Sequence, residues 1–267
     1  MDPATIWGTR WLNCDQPIAK KYMEVTCKKQ SLVVLAADKR TMDELNDLID
    51  DVGDYISALK THVDLIDDWT KEKWLDFILK AKQKDLLIFE DRKHGDIGKI
   101  AKEQMGGIYE IKSWADLVTA HLISGPSILD GLNESWESIN RLGGVLVLAQ
   151  MSSKGNLLEL PGYTDSVVNL SKNHPACFGY IGNGSRPEEL IELRKKVGDG
   201  KMIWTPGVNL NSGDGDLGQR YGAPNKAVEA GSDAIIVGSG IHNAKDRKKI
   251  AKKYAEISWD ALIKRTG

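Results

Sequence analysis

Four charged residues that could do chemistry together lie at the ends of two apolar segments. In the segment Phe89–Gly98, FEDRKHGDIG, Asp91 and Lys93 are two positions apart. On an extended backbone such residues project to the same face, so a carboxylate and an ammonium would point at one place. Asp96 follows, and Lys60 ends an earlier apolar segment, which gives an alternating Lys-Asp-Lys-Asp array. The array indicates a catalytic cluster, and surface ion pairs without a catalytic role are the alternative.

Eight apolar segments are predicted to be strands, and a helical segment follows each of them. Continuous apolar strands that alternate with helices indicate a parallel sheet covered on both faces. Eight such units in about 250 residues predict an α/β fold of the (β/α)8 TIM barrel type. A doubly wound open sheet is the second possibility, although no glycine-rich dinucleotide motif follows the first strand. The predicted strands are Ser31–Asp38, Tyr55–His62, Asp85–Lys93, Trp114–His121, Gly143–Ser152, Cys177–Asn183, Lys201–Val208 and Asp233–Gly238.

The predicted helices have recognisable start signals. Thr41 can cap the helix that contains Glu44, and Pro187 suits the first turn of the helix at Arg186–Val197. The remaining helices are expected at about 71–82, 97–105, 127–132, 165–173, 223–230 and 244–264.

The domain organisation is expected to be simple. No linker, repeat or low-complexity tract is present, so residues 1–267 are expected to form a single barrel domain. The first 30 residues or so are expected to be a helical extension, with a helix at Pro17–Lys28 that covers one end of the barrel.

Composition excludes several classes of function. The formal net charge of −2 gives no basis for nucleic-acid binding. Three cysteines without metal-type spacing are expected to be free thiols in a reducing compartment. No secretory signal is recognisable, and no apolar segment approaches the roughly 18 residues that span a bilayer. A protein in the cytoplasm, without membrane contact, is expected.

Polar residues collect at the predicted C-terminal strand ends, where barrels of this type carry their chemistry. His62 and His121 are more easily explained as structural hydrogen-bonding residues than as catalysts. The argument therefore rests on the convergence of the whole set, which is Asp38, Lys60, His62, Asp64, Asp91, Lys93, Asp96, His121, Gln150, Ser152, Asn183, Pro206 and Ser239.

The last two connections favour an anion site. The long segment Gly207–Ala223 is rich in glycine, and Gly238–Gly240 follows the eighth predicted strand. Barrels often bind phosphate with the loops after strands seven and eight, and glycine lets the backbone approach closely. Gln219, Arg220 and Tyr221 could add side-chain donors, and a plain mobile loop is the alternative. No metal-ligand motif or nucleophile elbow is present, so neither a metal site nor a serine nucleophile of that type is expected.

These motifs resemble those of a known family, the orotidine 5'-phosphate decarboxylases of the eukaryotic, monofunctional type. FEDRKHGDIG is similar to the family's FEDRKFADIG-type motif. The resemblance covers nearly the whole chain. Its other motifs are LKTHVD at 59–64, SWADLVTAH at 113–121, TPGV at 205–208, LGQRY at 217–221 and SDAIIVG at 232–238.

The resemblance implies a carboxy-lyase that needs no cofactor. Such an enzyme converts orotidine 5'-phosphate (OMP) to UMP and CO2, the last step of de novo pyrimidine biosynthesis. It implies a (β/α)8 barrel that works as a homodimer with shared active sites, and a small-molecule nucleotide as substrate.

The resemblance also assigns roles to residues. Lys93 would protonate C6 after CO2 leaves, Asp91 would lie near the substrate carboxylate, and Lys60 would hold the array and touch the ribose. Asp96 and Ile97 would reach into the partner's site. A fixed ammonium stabilises the charge that develops at C6 better than mobile water does. The other substrate-binding residues would be Asp38 at the ribose, Ser152 at the pyrimidine, Gln219 and Tyr221 at the phosphate, and Pro206, Gly238 and Ser239.

One departure from the family pattern bears on the phosphate. The family usually has an arginine after the strand-eight glycine, whereas this chain has Ser239. A serine cannot make the bidentate charged contact of arginine, and losing it could cost about 2–5 kcal/mol of binding. Arg220 or Arg186 could compensate. Further departures are His94, Gly95, Ile100 and Gln150.

Two other functions remain open. A diverged homologue could bind a nucleotide or phosphosugar with weak or no decarboxylation, which the serine at position 239 suggests. A phosphosugar aldolase on the same barrel would need Lys93 as a Schiff-base amine. The carboxylates that flank this lysine argue against the aldolase.

Overall fold

Eight parallel strands close into a barrel in the computed structural model, which describes residues 1–211, 213–214 and 219–266. The eight barrel strands are β1 (Val33–Ala36), β2 (Ala58–Thr61), β3 (Leu87–His94), β4 (Leu117–Ala120), β5 (Gly144–Leu148), β6 (Cys177–Ile181), β7 (Met202–Thr205) and β10 (Ala234–Val237), and two further strands are β8 (Gly213–Asp214) and β9 (Arg220–Tyr221). The order around the barrel is β1-β10-β7-β6-β5-β4-β3-β2. The remaining two strands, β8 and β9, form a separate antiparallel hairpin.

Helices follow the strands around the outside of the barrel, and three short or medium helices precede β1. The helices are α1 (Pro3–Trp7), α2 (Thr9–Asn13), α3 (Pro17–Lys29), α4 (Met42–Val52), α5 (Lys71–Gln83), α6 (Gly98–Gln104), α7 (Ile111–Trp114), α8 (Ser127–Glu137), α9 (Tyr163–Ser171), α10 (Pro187–Val197), α11 (Pro224–Glu229), α12 (Ser239–His242) and α13 (Arg247–Thr266).

The closure of the sheet confirms the predicted barrel and excludes the open sheet. Strand β1 pairs in parallel with both β2 and β10, with Val34 opposite Ala58 on one side and opposite Ile236 on the other. Strand side chains are buried on both faces, as continuous apolar strands predict. Closure brings all eight C-terminal strand ends to one rim.

The predicted start signals of two helices are confirmed. Thr41 Oγ1 accepts a hydrogen bond from the Glu44 main-chain N–H, and the Glu44 side chain accepts one from the Thr41 main-chain N–H. This capping box satisfies donors that the first turn would otherwise leave free. Pro187 is the first residue of α10, where its missing N–H costs nothing.

Strand four begins later than the sequence predicted. Trp114, the predicted first residue of that strand, is the last residue of α7, and β4 begins at Leu117. The Trp114 ring packs edge-on against Trp74 at 5.0 Å, and its Nε1 donates to the main-chain oxygen of Tyr109. Helix packing therefore explains the apolar residue that the sequence analysis assigned to a strand.

The segment Gly207–Ala223 is not structureless where the structure describes it. Gly213–Asp214 and Arg220–Tyr221 pair as the β8–β9 hairpin, and Val208 bridges Gly222. Leu217 and Gly218, the first residues of the LGQRY motif, lie outside the described residues.

The N-terminal helices cover the end of the barrel opposite the strand C-termini. Tyr22 of α3 is fully buried and packs against Phe178 of β6 and Trp204 of β7. Its hydroxyl donates to the main-chain oxygen of Asp233, which immediately precedes β10. The observed helix Pro17–Lys29 matches the helix predicted from the sequence.

Asp233 is the counter-ion for three arginines at this end of the barrel. Arg10 of α2 makes a bidentate pair with its carboxylate, Arg194 of α10 approaches to 2.6 Å, and Arg265 of α13 approaches to 3.1 Å. The carboxylate also accepts the Ile203 N–H of β7 at 2.8 Å. Burial would raise the pKa of Asp233, but the three guanidinium groups outweigh burial and hold the pKa well below its usual value.

Two further features concern the helices and the cysteines. Among the described residues, no helix is long and apolar enough to cross a bilayer. Cys14, Cys27 and Cys177 are free and buried.

We expect Asp233→Asn to lower the free energy of unfolding by about 3–5 kcal/mol, because three buried guanidinium groups would lose their counter-ion. The depressed pKa of Asp233 adds a pH dependence. Its contribution should be complete above the unfolded-state pKa of about 4 and decline as pH falls further, and the variant should lack this decline. Urea unfolding between pH 3 and pH 7 measures both effects.

Asp67→Asn is the matched control, because Asp67 pairs with Arg40 on the exposed surface. Little change in stability is expected for it. Equal, small effects of both substitutions would contradict a structural role for the Asp233 cluster.

Candidate active site

A cavity of about 520 Å³ opens where the barrel strands end. Strand ends supply its floor, and the hairpin and the segment after β10 supply part of its wall. Ten of the residues predicted from the sequence line it, namely Asp38, Lys60, Asp91, Lys93, Ser152, Pro206, Gln219, Tyr221, Gly238 and Ser239.

Four charged side chains form an alternating chain across the cavity floor. Lys93 Nζ lies 2.8 Å from Asp91 Oδ2, and the same oxygen lies 3.4 Å from Lys60 Nζ. Lys60 Nζ lies 3.2 Å from Asp38 Oδ1. Lys60 and Asp91 are largely buried, whereas Lys93 and Asp38 are more exposed and can meet a ligand. The two lysines and two aspartates balance in formal charge.

Asp91 is fixed from both sides. Its Oδ1 accepts a hydrogen bond of 2.9 Å from Thr119 Oγ1 of β4. Burial would raise the pKa of Asp91, but the charges of Lys60 and Lys93 outweigh it and lower the pKa. Asp91 is therefore an anion at neutral pH and cannot turn away from the lysines without breaking several bonds.

Lys93 has an unusual backbone conformation. Its φ is +50°, in the left-handed region that side-chain-bearing residues rarely adopt. The register between β3 and β4 shifts between Glu90 and His94, so Lys93 lies in an irregular stretch of β3. Its N–H is held by Thr119 Oγ1 at 2.8 Å. The pairing of Lys93 with Asp91 was predicted from an extended backbone, and the structure achieves it with a bulge.

His62 joins this network as a neutral group. Its Nε2 lies 2.8 Å from Lys60 Nζ, so the ammonium donates and the ring nitrogen accepts. Burial and the charge of Lys60 lower the pKa of His62. A protonated ring would face the ammonium of Lys60, so we assign His62 a role in orienting that lysine.

Glu90, beside Asp91 in the chain, is completely buried under the site. Its carboxyl group accepts hydrogen bonds from Thr61 Oγ1 at 2.7 Å and from the Val63 N–H at 3.2 Å. Burial raises the pKa of Glu90 to about 8. The group is therefore neutral at pH 7, which is consistent with its complete burial against Thr61 of β2.

Three potential metal ligands lie together nearby, but their other partners argue against a cation. Ligand atoms of His62, Asp64 and Glu90 are all within 4.8 Å of one another. Asp64 is paired with Arg92, and Glu90 carries a proton at neutral pH. Lys60 adds a positive charge beside His62. We propose no metal at this place.

The hairpin is attached to the loop after β5 through two neighbouring residues. Gln219 Nε2 donates to Ser152 Oγ at 2.7 Å. Arg220 donates to the main-chain oxygens of Ser152 and Ser153. Its Nη2 also lies 2.7 Å from Glu159. Gln219 and Ser152 therefore face the cavity, while the guanidinium of Arg220 points into the loop behind them.

Seven predicted residues do not line the cavity of this chain, namely Asp64, His121, Gln150 and Asn183 of the convergent set together with Arg220, Asp96 and Ile97. Arg220 is engaged as just described, so contact with a ligand would require those bonds to break. Asp96 and Ile97 lie on the exposed segment between β3 and α6. Asp96 Oδ1 accepts the Ile97 N–H, and the Asp96 main-chain oxygen accepts a bond from Ser124.

Several site residues were not predicted from the sequence. Thr119 lies within an apolar strand, and Met151, Asn209 and His242 line the cavity without belonging to an obvious motif. His62 was predicted to be a structural hydrogen-bonding residue and also lines the cavity. A signal for His242 was available in the sequence. It is a histidine only three positions after Ser239, and therefore close in the chain to the expected anion site.

Comparisons with known proteins identify close relatives. The model of the "Orotidine 5'-phosphate decarboxylase / HUMPS family" matches residues 31–254. The chain is 40% identical to an orotidine 5'-phosphate decarboxylase of Rhizomucor pusillus over 251 residues, which are 92% of each chain. It is 37% identical to that of Coccidioides posadasii over 258 residues, which are 94% of this chain and 93% of the relative.

Solved structures show the same fold. Orotidine 5'-phosphate decarboxylase from Pyrococcus horikoshii has a TM-score of 0.66 at 27% identity and covers 85% of this chain and 98% of its own. Orotidine 5'-monophosphate decarboxylase from Methanocaldococcus jannaschii, solved with the inhibitor BMP, has a TM-score of 0.67 at 22% identity. The match covers 85% of this chain and 97% of the other, and at that identity it supports the fold alone.

We expect Thr119→Val to lower the free energy of unfolding by about 1–3 kcal/mol, because the Lys93 N–H and one oxygen of Asp91 would lose their shared partner. Thr119→Ser, which keeps the hydroxyl, is the control and should lose much less. Chemical denaturation measures both. Equal losses would show that the methyl group, rather than the hydrogen bonds, matters.

Glu90 predicts a pH-dependent stability. Between the ordinary glutamate pKa of 4.5 and its folded-state pKa of about 8, the folded protein holds a proton that the unfolded chain has lost. The free energy of unfolding should therefore fall as pH rises through this window. Glu90→Gln, which does not titrate, should flatten this part of the profile. An unchanged slope would mean that another group causes it.

Proposed function

The chain belongs to the orotidine 5'-phosphate decarboxylase / HUMPS family, which confirms the resemblance seen in its motifs, and on this premise we propose the following function. The enzyme is a carboxy-lyase that converts OMP to UMP and CO2 in pyrimidine biosynthesis. The observation that carries the proposal is the Lys93–Asp91–Lys60–Asp38 chain on the cavity floor. We propose that the reaction uses these side chains and no cofactor.

Lys93 supports both halves of the reaction. When the bond between C6 and the carboxyl carbon breaks, its electron pair stays on C6 and CO2 leaves. The Lys93 ammonium, held by Asp91 at 2.8 Å, is a fixed positive charge for that electron pair. The ammonium then transfers a proton to C6, which gives UMP and a neutral amine that solvent reprotonates. More than a third of its side chain is exposed to the cavity.

Asp91 and Lys60 keep Lys93 in place. Asp91 is held by Thr119 and by both lysines, so its charge stays close to the place proposed for the substrate carboxylate. Lys60 is held by Asp38 and His62. Little reorganisation is then needed when the transition state forms, which is the condition under which fixed charges are most effective.

The remaining lining residues are proposed to bind different parts of the nucleotide. We propose that Ser152 binds the pyrimidine and that Asp38, whose carboxylate is partly exposed, binds ribose hydroxyls. Gln219 and Tyr221 on the hairpin side and Gly238 and Ser239 after β10 take the phosphate. Pro206 contributes to the wall. Binding energy from the remote phosphate can support catalysis at C6.

We also propose a homodimer in which Asp96 and Ile97 complete the partner's site. Asp96 is exposed in the single chain and lies outside its own cavity. Ile97, Ile100 and Ile123 expose apolar surface around it, and Ser124 Oγ donates to the Asp96 main-chain oxygen, which joins the loop after β4 to the segment before α6. Exposed apolar surface rimmed by polar groups is typical of a protein interface.

A cytoplasmic location completes the proposal and suits the three free cysteines.

The second candidate is a diverged homologue that binds the nucleotide but decarboxylates it weakly. Ser239 in place of the usual arginine favours it, as does the engagement of Arg220 with Glu159. Loss of OMP absorbance with purified protein and no added metal or cofactor separates the candidates. Rapid turnover supports the decarboxylase, and UMP binding without turnover supports the homologue.

Lys93→Ala should reduce turnover of OMP by at least about 10⁴-fold, because it removes both the fixed charge and the proton donor. The circular dichroism spectrum should not change. Lys195→Ala, which removes an exposed lysine paired with Glu192 on α10, is the control and should retain activity. Retention of most activity by Lys93→Ala would refute the assigned role.

Mixing two inactive variants tests the shared site. Lys93→Ala and Asp96→Ala should each be nearly inactive alone. In dimers that contain one chain of each, one site has both native residues and the other has neither, so about a quarter of wild-type activity should return in a 1:1 mixture. Co-expression with two different tags provides the mixed dimers. No recovery in purified mixed dimers would exclude the proposed sharing.

Ser239→Arg should tighten UMP binding by at least about tenfold, because arginine can make a bidentate charged contact with phosphate. Titration calorimetry measures the affinity. No gain would mean that other groups already hold the phosphate.

A further inference from the structure

The cavity near Ser239 has no arginine among the described residues that line it. Arg220 is bonded to Glu159, and Arg186 is paired with Glu189. The cavity's two lysines are both bound to Asp91 on the floor. A phosphate at the Ser239 end would therefore depend on hydrogen-bond donors other than these cations.

His242 is such a donor, and no function has yet been assigned to it. It lies at the end of α12, three residues after Ser239, and lines the same cavity. Its Nε2 faces Gly238: a methyl group placed on that glycine would lie 3.6 Å from His242 Nε2 and 3.8 Å from Asp38 Oδ2. Nε2 thus lies beside the segment that follows β10. It is also close to the carboxylate of Asp38, which is proposed to bind the ribose.

The other ring nitrogen indicates which tautomer is present. His242 Nδ1 is buried and has no hydrogen-bond partner among the described residues. A buried N–H without an acceptor is costly, so the proton belongs on Nε2, on the side of Gly238. Nε2 is then a hydrogen-bond donor, which a phosphate oxygen, as an acceptor, can use.

The surroundings keep the ring neutral. The charged groups around it are Lys39, Asp38, Arg247 and Lys60. Burial, followed by the charge of Lys39, lowers the pKa of His242. Protonation would also add an N–H at the buried Nδ1, where it would have no acceptor among the described residues. The group is therefore a neutral donor near pH 7.

We propose that His242 is a specificity-determining residue whose Nε2–H donates a hydrogen bond to the phosphate of the bound nucleotide. It does so together with Ser239 and the backbone of Gly238–Gly240, and it replaces part of what an arginine at position 239 would supply. The inference rests on the proposed function and identifies how this chain recognises the phosphate. The ribose is the less favourable partner, because Asp38 already offers an acceptor to its hydroxyl groups.

The test compares two ligands that differ only in the phosphate, UMP and uridine. His242→Phe keeps a ring of similar size but removes the donor, and it should weaken UMP binding about five- to tenfold while changing uridine binding less than about twofold. His242→Gln keeps a donor and should recover part of the affinity. His174→Phe, a histidine paired with Asp130 far from the cavity, is the matched control and should change neither.

A second measurement uses the serine. In a Ser239→Arg background, the charged contact should make the imidazole redundant, so His242→Phe should cost less than about twofold there. Non-additivity of this kind is expected when two residues serve the same ligand group. Thermal unfolding of each variant shows whether folding is retained, and His242→Leu, which also lacks a donor, carries the test if His242→Phe does not fold.

Equal weakening of UMP and uridine by His242→Phe would overturn the proposal, because the ring would then serve the nucleoside. No weakening of either ligand would overturn it as well. These outcomes are distinct from failure of the proposed function, which would appear as a wild-type protein that does not turn over OMP. A wild-type protein that binds neither UMP nor uridine would refute both.

Discussion

Asp233 accepts hydrogen bonds from Arg10, Arg194 and Arg265, and the closed barrel depends on this cluster. The three arginines come from α2, α10 and α13, and the same carboxylate receives a main-chain N–H of β7. An N-terminal helix, α2, and the last helix, α13, are thus joined to the seam where β7, β10 and β1 meet. Without closure at this end, the strand ends at the other rim could not converge on one ligand.

A second buried aspartate, Asp91, plays a different part at that other rim. Asp233 is surrounded by cations, whereas Asp91 shares its charge between Lys60 and Lys93 and leaves Lys93 partly open to the cavity. In both cases neighbouring cations lower the pKa of a buried carboxyl group. The first arrangement serves stability alone, and the second presents an ammonium in a fixed position to a ligand.

The sequence predicted the barrel and most of the cavity because both follow from local patterns. Apolar runs ending in charged residues indicated where Lys60 and Asp91 would meet. It could not predict Thr119, because that contact depends on the register between β3 and β4. Nor could it show that Arg220 binds Glu159, which depends on a hairpin that the sequence analysis treated as an irregular loop. The role of His242 could not be predicted from the sequence either, because tertiary packing decides the orientation of its ring.

The left-handed backbone of Lys93 has a consequence for how this enzyme can evolve. Glycine and asparagine adopt that conformation more readily than lysine, by roughly 1 kcal/mol or more. Selection for thermostability alone would therefore favour either residue at position 93, and both lack an ammonium. The residue at position 93 is therefore a compromise between folding stability and catalysis. The folding free energy lost at this position has to be recovered at positions that do not contact the nucleotide.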